Sequence, residues 1–474
     1  MGFKDTAKEL AIKEGIKFLR KDFDKNSLVL IDKALIKYKD SEDHVKLFNG
    51  LKRGLQKPDN VWAQYLKNLV MNMDPGVLQR FIGPFINVGV KSYETRMESI
   101  RKYNCNIPWA ILIDITTACN LHCTGCWASE YDKASSLSYD DLNKIITEAK
   151  ALGTRFFLYT GGEPLTRKPD LIRLCEENPD CLFLAFTNGT LCDDAFADEL
   201  VRLGNLVLTI SIEGYEETTD LRRGKGTYKK ALDAMARLKK RGVPFGNSLC
   251  CTKYNSDVIS SDEYTDFLIE QGSIFAWYFT FVPVGKGATS ELMVTPEQRK
   301  YHYDQVRKWR YKEVKPLFTI DFFNDGEYVG GCIAAGKQYF HISPNGDCEP
   351  CVFAHYSTVN IKEQHLLDAL QSPLFMAYRA RQPFSDNMLR PCPVLDNPGA
   401  LKKMVNDTGA ASTDLASPET PEELFNKVVD VAKLWKQTAD KIVEEHGCTK
   451  KRLRSIDLYT DLEKNRLKDF DEFN

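Results

Sequence analysis

The chain has 474 residues, 43% of them hydrophobic and 27% charged, with a formal net charge of −2. This is too long for one hydrophobic core, so two or more packed units are expected, and the balanced charge offers no general attraction to nucleic acid. No apolar run approaches the roughly 20 residues of a membrane span, and the first ten residues lack a signal-peptide core, which together predict a cytoplasmic protein.

Residues 1–105 read as a helical unit of charged amphipathic stretches, among them Lys4–Asp22 and Asn26–Asp40, with a break at Pro58. Within it, Met71–Val90 is apolar and rich in Gly and Pro, and Val77, Leu78, Phe81, Ile82, Phe85 and Ile86 fall toward one face. That face either docks on the next unit or meets a lipid or apolar substrate, which would bring peripheral membrane contact. From Trp109 to Val282, strands near 111–116, 154–160, 181–187, 206–212, 244–252 and 275–282 alternate with helices near 138–152, 169–178, 193–203, 228–242 and 262–271. Such alternation predicts an α/β fold: a parallel sheet with right-handed crossovers, curled into a partial (β/α)6 barrel over residues 106–295. Its chemistry is expected at the C-terminal strand ends. Residues 296–400 should hold a bridging helix after Thr295-Pro296 and a loop-rich segment with four cysteines. Residues 401–474 comprise a polar connector, an amphipathic helix through His446, and a charged tail from 450 expected as solvated helix or disorder.

The first strand runs into Cys119-Asn-Leu-His-Cys123-Thr-Gly-Cys126, three thiols able to converge at its end. Soft thiolates select zinc or iron–sulfur clusters. Structural zinc normally takes four protein ligands, so three cysteines favour a [4Fe-4S] cluster with one open iron. The second strand ends in Tyr159-Thr-Gly161-Gly162-Glu163-Pro164, where paired glycines permit close backbone approach and the Glu163 carboxylate is an acceptor for an ammonium group. Alternation along the fourth strand sends Ser211 and Glu213 to one face. These motifs resemble the radical SAM superfamily. The resemblance implies that Cys119, Cys123 and Cys126 hold the cluster, and that Gly161, Gly162 and Glu163 take the methionine amino group of S-adenosylmethionine (SAM). It further implies ribose contacts from Ser211 and Glu213, and pairing of the methionine carboxylate by Arg223, with Arg222 a near rival. Thr187-Asn188 and Phe281–Gly285 are weaker matches. The family's usual aromatic residue before the third cysteine is replaced here by Gly125, with Trp127 following the cysteine.

Cys332, Cys348, Cys351 and Cys392 form a second set, in which Gly346-Asp-Cys-Glu-Pro-Cys351 is a tight turn. Four thiolates fill either a zinc site or an auxiliary [4Fe-4S] cluster. The stretch resembles the SPASM and Twitch auxiliary-cluster extensions, with a count of four that implies the one-cluster Twitch type. Alternation makes Cys250 rather than Cys251 the thiol facing into the barrel, placed to give a hydrogen atom to a product radical or simply packed there.

The resemblance implies an enzyme that reductively cleaves SAM to a 5′-deoxyadenosyl radical and abstracts hydrogen from an unactivated C–H bond. It would be served by a small reducing protein such as flavodoxin or ferredoxin. Residues 1–105 contain no strands of a winged peptide-binding domain, so a lipid or other apolar substrate is the first expectation and a peptide or protein the alternative. A non-catalytic iron–sulfur redox or scaffold protein would need the cysteines but not Glu163, Ser211 and Arg223.

Overall fold

In the computed structural model, which describes residues 3–57, 59–130, 135–285, 287–446 and 465–474, every expected barrel strand is present. They are β1 (Ala110–Thr116), β2 (Phe156–Gly161), β3 (Leu182–Thr187), β4 (Leu206–Ser211), β5 (Phe245–Cys251) and β6 (Phe275–Thr280). All positions of β1, β2 and β4 are buried, as expected of parallel strands covered on both faces. The sheet continues past both ends of that set. β7 (Phe318–Asp321) pairs with β6, β8 (Tyr339–Ile342) pairs in parallel with β1, and β9 (Cys348–Glu349) pairs antiparallel to β8. The order is therefore β7-β6-β5-β4-β3-β2-β1-β8-β9. The segment carrying the second cysteine set thus supplies the strand beside β1.

Helices cover the outer face. Tyr139–Leu152 starts on a capping box between Ser138 and Asp141, stops at Gly153 in the left-handed region, and buries Leu142, Ile145, Ile146 and Ala149. The N-terminal helices Phe3–Lys21, Phe23–Lys37, Glu42–Leu55, Val61–Asn72, Pro75–Ile86 and Ser92–Tyr103 contain no strand among the described residues.

The apolar face at 77–86 divides in two. Pro84 does not end its helix, which runs to Ile86. Val77 and Leu78 are buried where this helix meets helix Asp194–Leu203 of the barrel, fastened by Arg80 Nη2 donating to the Val201 carbonyl at 2.6 Å. Phe85 is 58% exposed and Ile86 45%, with Phe81 stacked on Phe85 at 5.5 Å between ring centroids. Among the described residues no helix is long and apolar enough to cross a membrane.

The expected C-terminal helix is Pro421–His446, which buries Leu424, Val428, Trp435 and Ile442. Trp435 Nε1 donates to the Leu389 carbonyl at 2.9 Å. Pro58, Cys448 and residues 450–464 of the tail lie outside the described residues. Residues 465–474 do not form the expected solvated helix. They dock, with Arg381 Nη2 2.6 Å from Asp469, Leu467 N donating to the Ala380 carbonyl at 2.8 Å, and Gly399 N donating to the Glu472 carbonyl at 3.1 Å. Buried arginines near the second cysteine set give this charged segment specific partners, so it is ordered by ion pairs rather than by apolar periodicity.

Candidate active site

At the C-terminal ends of β1–β6 the sheet opens into a cavity of about 160 Å³. Cys119, Cys123 and Cys126 all line it, as do Gly161, Gly162 and Glu163 from the end of β2. Backbone hydrogen bonds bind the two loops together: Gly162 N donates to the Thr116 carbonyl and Glu163 N to the Ala118 carbonyl, both at 2.8 Å. A Cβ on Gly162 would sit 2.2 Å from the Ala118 carbonyl oxygen, so glycine is required for the loops to touch. Gly125 has φ +64°, and a Cβ there would stand 2.8 Å from Phe281 and Leu292. The space an aromatic residue would fill before the third cysteine is thus already occupied by Phe281. Trp127, just after that cysteine, lines the cavity.

Glu163 is buried and held by three hydrogen bonds. Its carboxylate accepts from Leu165 N at 2.9 Å, Thr187 Oγ1 at 2.7 Å and Asn188 N at 2.8 Å. Burial raises its pKa, against the pull of those hydrogen bonds and of Arg223. Thr187 and Asn188 therefore hold Glu163 in place, and Asn188 also donates through Nδ2 to Asn120 of the cysteine loop at 2.9 Å.

Ser211 lines the cavity, whereas Glu213 lies behind it and is fully buried. Glu213 accepts from Arg222 Nη1 at 2.6 Å, Arg223 Nε at 2.9 Å and Cys250 N at 3.1 Å. Glu213 thus fixes the two arginines, and both arginines face the cavity. Asn255, which the sequence gave no reason to single out, ties the site to β5 by donating to the carbonyls of Glu213 and Cys250 at 3.2 and 3.0 Å. Cys250 lines the cavity, while Cys251 is buried on the opposite side of β5. Burial pushes the Cys250 thiol up to about 11 despite Arg222 beside it.

The second cysteine set is brought together only in part. Cys332, Cys351 and Cys392 bear on one another electrostatically. Cys348 does not join them. It pairs with Ile342 across β8–β9, whereas Glu349 pairs with His341, so Cys348 faces away from His341 and Tyr339. Its charged neighbours are Asp347, Glu349 and Lys144 of the outer helix. Cys351 Sγ, in contrast, lies 2.7 Å from Tyr339 Oη. Of the four expected cysteines, Cys348 thus stands apart from Cys332, Cys351 and Cys392.

A local turn marks the same division. Cys119 Sγ accepts from Leu121 N at 3.4 Å, and Cys392 Sγ from Val394 N at 3.3 Å. Cys126, Cys332 and Cys351 accept in the same way from Ala128, Ala334 and Phe353, each two residues on. The backbone donor at Cys348 is the remote Ile361. Backbone N–H groups aimed at sulfur stabilise thiolates, which suits iron ligation. Burial otherwise holds Cys119 up at about 11 and raises Cys126, so these thiols need a cationic partner to ionise. No three His, Cys, Asp or Glu side chains among the described residues are grouped to hold a single metal ion. Thiols spread around a cavity fit a multi-iron cluster, whose separate irons each take one thiolate, better than they fit one zinc.

Between the two centres lies a buried network that sequence reading missed. His341 on β8 stands 3.1 Å from Asp114 and 2.6 Å from Glu349, and His355 stands 2.8 Å from Asp414. Trp127 meets both imidazoles edge-on, at 5.6 and 6.3 Å between centroids. Burial alone would lower both histidines, but Asp114 and Glu349 push His341 up to about 10, and Asp414 and Glu349 push His355 up to about 9. Asp114, the segment from His341 to His355 and Asp414 are far apart in sequence, and the β1–β8 and β8–β9 pairings, with that of β10 (Tyr356–Ser357) and β11 (Ala411–Ser412), bring them together.

Comparison with known proteins agrees with this geometry. Residues 113–259 match the Radical SAM superfamily model, and residues 332–393 match SPASM, an iron–sulfur cluster-binding domain. The chain is 30% identical over 287 residues to an AdoMet-dependent heme synthase of Methanosarcina barkeri, covering 55% of this chain and 81% of that protein. It is 25% identical over 307 residues to a PqqA peptide cyclase of Granulibacter bethesdensis, covering 60% and 79%. Among solved structures, Streptococcus suis SuiB bound to S-adenosylmethionine shares the fold, with a TM-score of 0.53 at 18% identity over 71% of this chain and 88% of that one. The chain therefore belongs to the radical SAM superfamily, as a SAM-dependent enzyme that uses a [4Fe-4S] cluster and carries a SPASM auxiliary-cluster domain.

Proposed function

We propose that the enzyme removes a hydrogen atom from an unactivated C–H bond of a peptide or protein substrate. In this reading Cys119, Cys123 and Cys126 hold the SAM-binding cluster, while Cys332, Cys351 and Cys392 hold the auxiliary one. The observation that carries it is the shared cavity, into which the three thiols, Glu163, both arginines and Cys250 open together at the strand ends. Support for a peptide comes from the likeness to the PqqA peptide cyclase. A second reading, an iron-porphyrin substrate, draws on the likeness to the heme synthase. A lipid has less support, since Val77 and Leu78 of the apolar face are buried against the barrel.

When bound, the reduced cluster and SAM supply a 5′-deoxyadenosyl radical that takes the substrate hydrogen. The chain's own residues bind and orient. Gly161 and Gly162 let the β2 loop approach the ligand, Glu163 accepts from its ammonium group, and Ser211 offers a hydroxyl to the ribose. Arg223, seconded by Arg222 and held by Glu213, pairs with the carboxylate. Phe186, Phe279 and Phe353 wall the cavity and exclude water. Cys250 is held as a neutral thiol by burial, so its S–H bond can break as a C–H bond forms on a substrate radical. The sulfur radical left behind regains one electron and one proton through the reducing partner, a flavodoxin or ferredoxin. The reading keeps a division at residues 105, 295 and 400, with the second and third units joined through β1–β8 and β6–β7.

The test incubates the anaerobically reconstituted protein with dithionite, SAM and deuterated substrates. Deuterium appearing in 5′-deoxyadenosine from a peptide supports the main reading. Its appearance only from an iron porphyrin moves the assignment to the second, and its appearance from neither refutes both.

A further inference from the structure

Two tyrosine hydroxyls face the second cysteine centre and have no part in the chemistry above. Tyr339 is buried on β8, and its Oη lies 2.7 Å from Cys351 Sγ. Tyr378, on helix Pro373–Arg381, is fully buried, and its Oη has no hydrogen-bond partner among the described residues. The ionisable groups that bear on it are Cys332, Cys351 and Cys392, in that order, and after them Tyr356. A buried hydroxyl normally finds an acceptor. A cysteine bound to iron has lost its proton, so in the loaded protein Tyr339 must be the donor in its contact with Cys351. The same sulfur-rich surface supplies the acceptor that Tyr378 otherwise lacks.

We propose that Tyr339 and Tyr378 donate hydrogen bonds to the sulfurs of the auxiliary cluster held by Cys332, Cys351 and Cys392, and thereby raise its reduction potential. The inference rests on the assignment of those cysteines made above. Each electron added to a cluster places more negative charge on its sulfurs, so a fixed donor stabilises the reduced state more than the oxidised one. The phenols join backbone donors already aimed at these sulfurs, among them Val394 and Leu395 N–H at 3.3 and 3.4 Å from Cys392 Sγ. A raised potential suits this centre to accept an electron rather than to deliver one to SAM.

Tyr339→Phe and Tyr378→Phe each delete one O–H and keep the ring. In the full chain, reconstituted anaerobically and titrated by EPR, each variant should retain the iron content of the parent. Its auxiliary midpoint potential should shift negative, and that of the SAM-binding cluster should stay in place. Resonance Raman should show Fe–S(Cys) stretches moved to higher frequency in the same variants. The two substitutions lie on different elements, so failure of one to fold leaves the other to read. An unshifted auxiliary potential at full iron content overturns the proposal. Loss of the second cluster's iron in Tyr378→Phe also overturns it, because the oxygen would then be a ligand and not a donor. A mistaken cysteine assignment would show separately, as Cys392→Ala that keeps all its iron.

Discussion

A sulfur that accepts the N–H two residues onward marks Cys119, Cys126, Cys332, Cys351 and Cys392, whereas the backbone donor at Cys348 is Ile361, and this contrast leads to a direct test. The unaltered protein should bind about eight irons as two [4Fe-4S] clusters. Cys392→Ala should leave about four, and Cys348→Ala should keep about eight, as counted by iron analysis after anaerobic reconstitution. Glu163→Gln should weaken SAM binding and 5′-deoxyadenosine release while leaving iron unchanged, since its carboxylate meets the ligand and not the metal. His355 supplies a pH prediction. Its ring nitrogens face the Asp414 carboxylate and the Val352 carbonyl at 2.8 and 3.0 Å, so both carry protons. A pKa raised to about 9 adds stability that is complete below the ordinary value near 6.5 and is lost as pH rises through about 9. The melting temperature should therefore fall between pH 7 and 10, and less steeply in His355→Gln, a variant about 3 kcal/mol less stable near neutrality. Cys119, Cys123, Cys126 and Glu163 were readable from the sequence because the motifs that carry them directly follow apolar strands, which sets them at the neighbouring ends of β1 and β2. The direction of the Cys348 thiol was not legible because the two-residue strand β9 is too short to show an alternation, yet that alternation decides which way the thiol points.

Among the elements, the β2 loop carries the tightest constraint. Gly162→Ala would force the Ala118 carbonyl away from a Cβ at 2.2 Å, breaking the contact that joins the glutamate loop to the cysteine loop. A loss of about 3 kcal/mol in denaturant unfolding is expected, along with depletion of the first cluster. Helix Pro75–Ile86 gives a contrasting pair. Val77→Asp, at a position 1% exposed, should cost about 4 kcal/mol and lower the soluble yield, whereas Phe85→Asp, at 58% exposure, should change stability by no more than about 0.5 kcal/mol. Equal losses in both variants, read by thermal melts, would mean that Phe85 is covered in solution. The barrel helices were legible because apolar periodicity and caps agree, as at Ser138 and Gly153. The helix Glu216–Arg223 was not, because its mostly polar sequence buries only Thr219 and it is fixed by Glu213 gripping its last arginines.

Over the whole molecule, distant segments meet at the second cysteine centre. Arg381 and Arg390 on its flank bind Asp469 and Glu472 of the chain's last described residues at 2.6 and 2.5 Å. Truncation after His446 should remove these two carboxylate partners from the buried arginines, lower the melting temperature, and make the second cluster the first to be lost to a chelator. The pairing of β1 with β8 has a further consequence, in the time course of synthesis. Ala110 meets Tyr339 in that ladder, so a chain emerging from the ribosome leaves one edge of its first strand unpaired until most of the protein has been made. Such a long-range closure is slow, and an open strand edge invites association with other chains in the meantime. Folding of this enzyme should therefore depend on protection of that edge, by a chaperone or by its own N-terminal helices, well before any iron arrives.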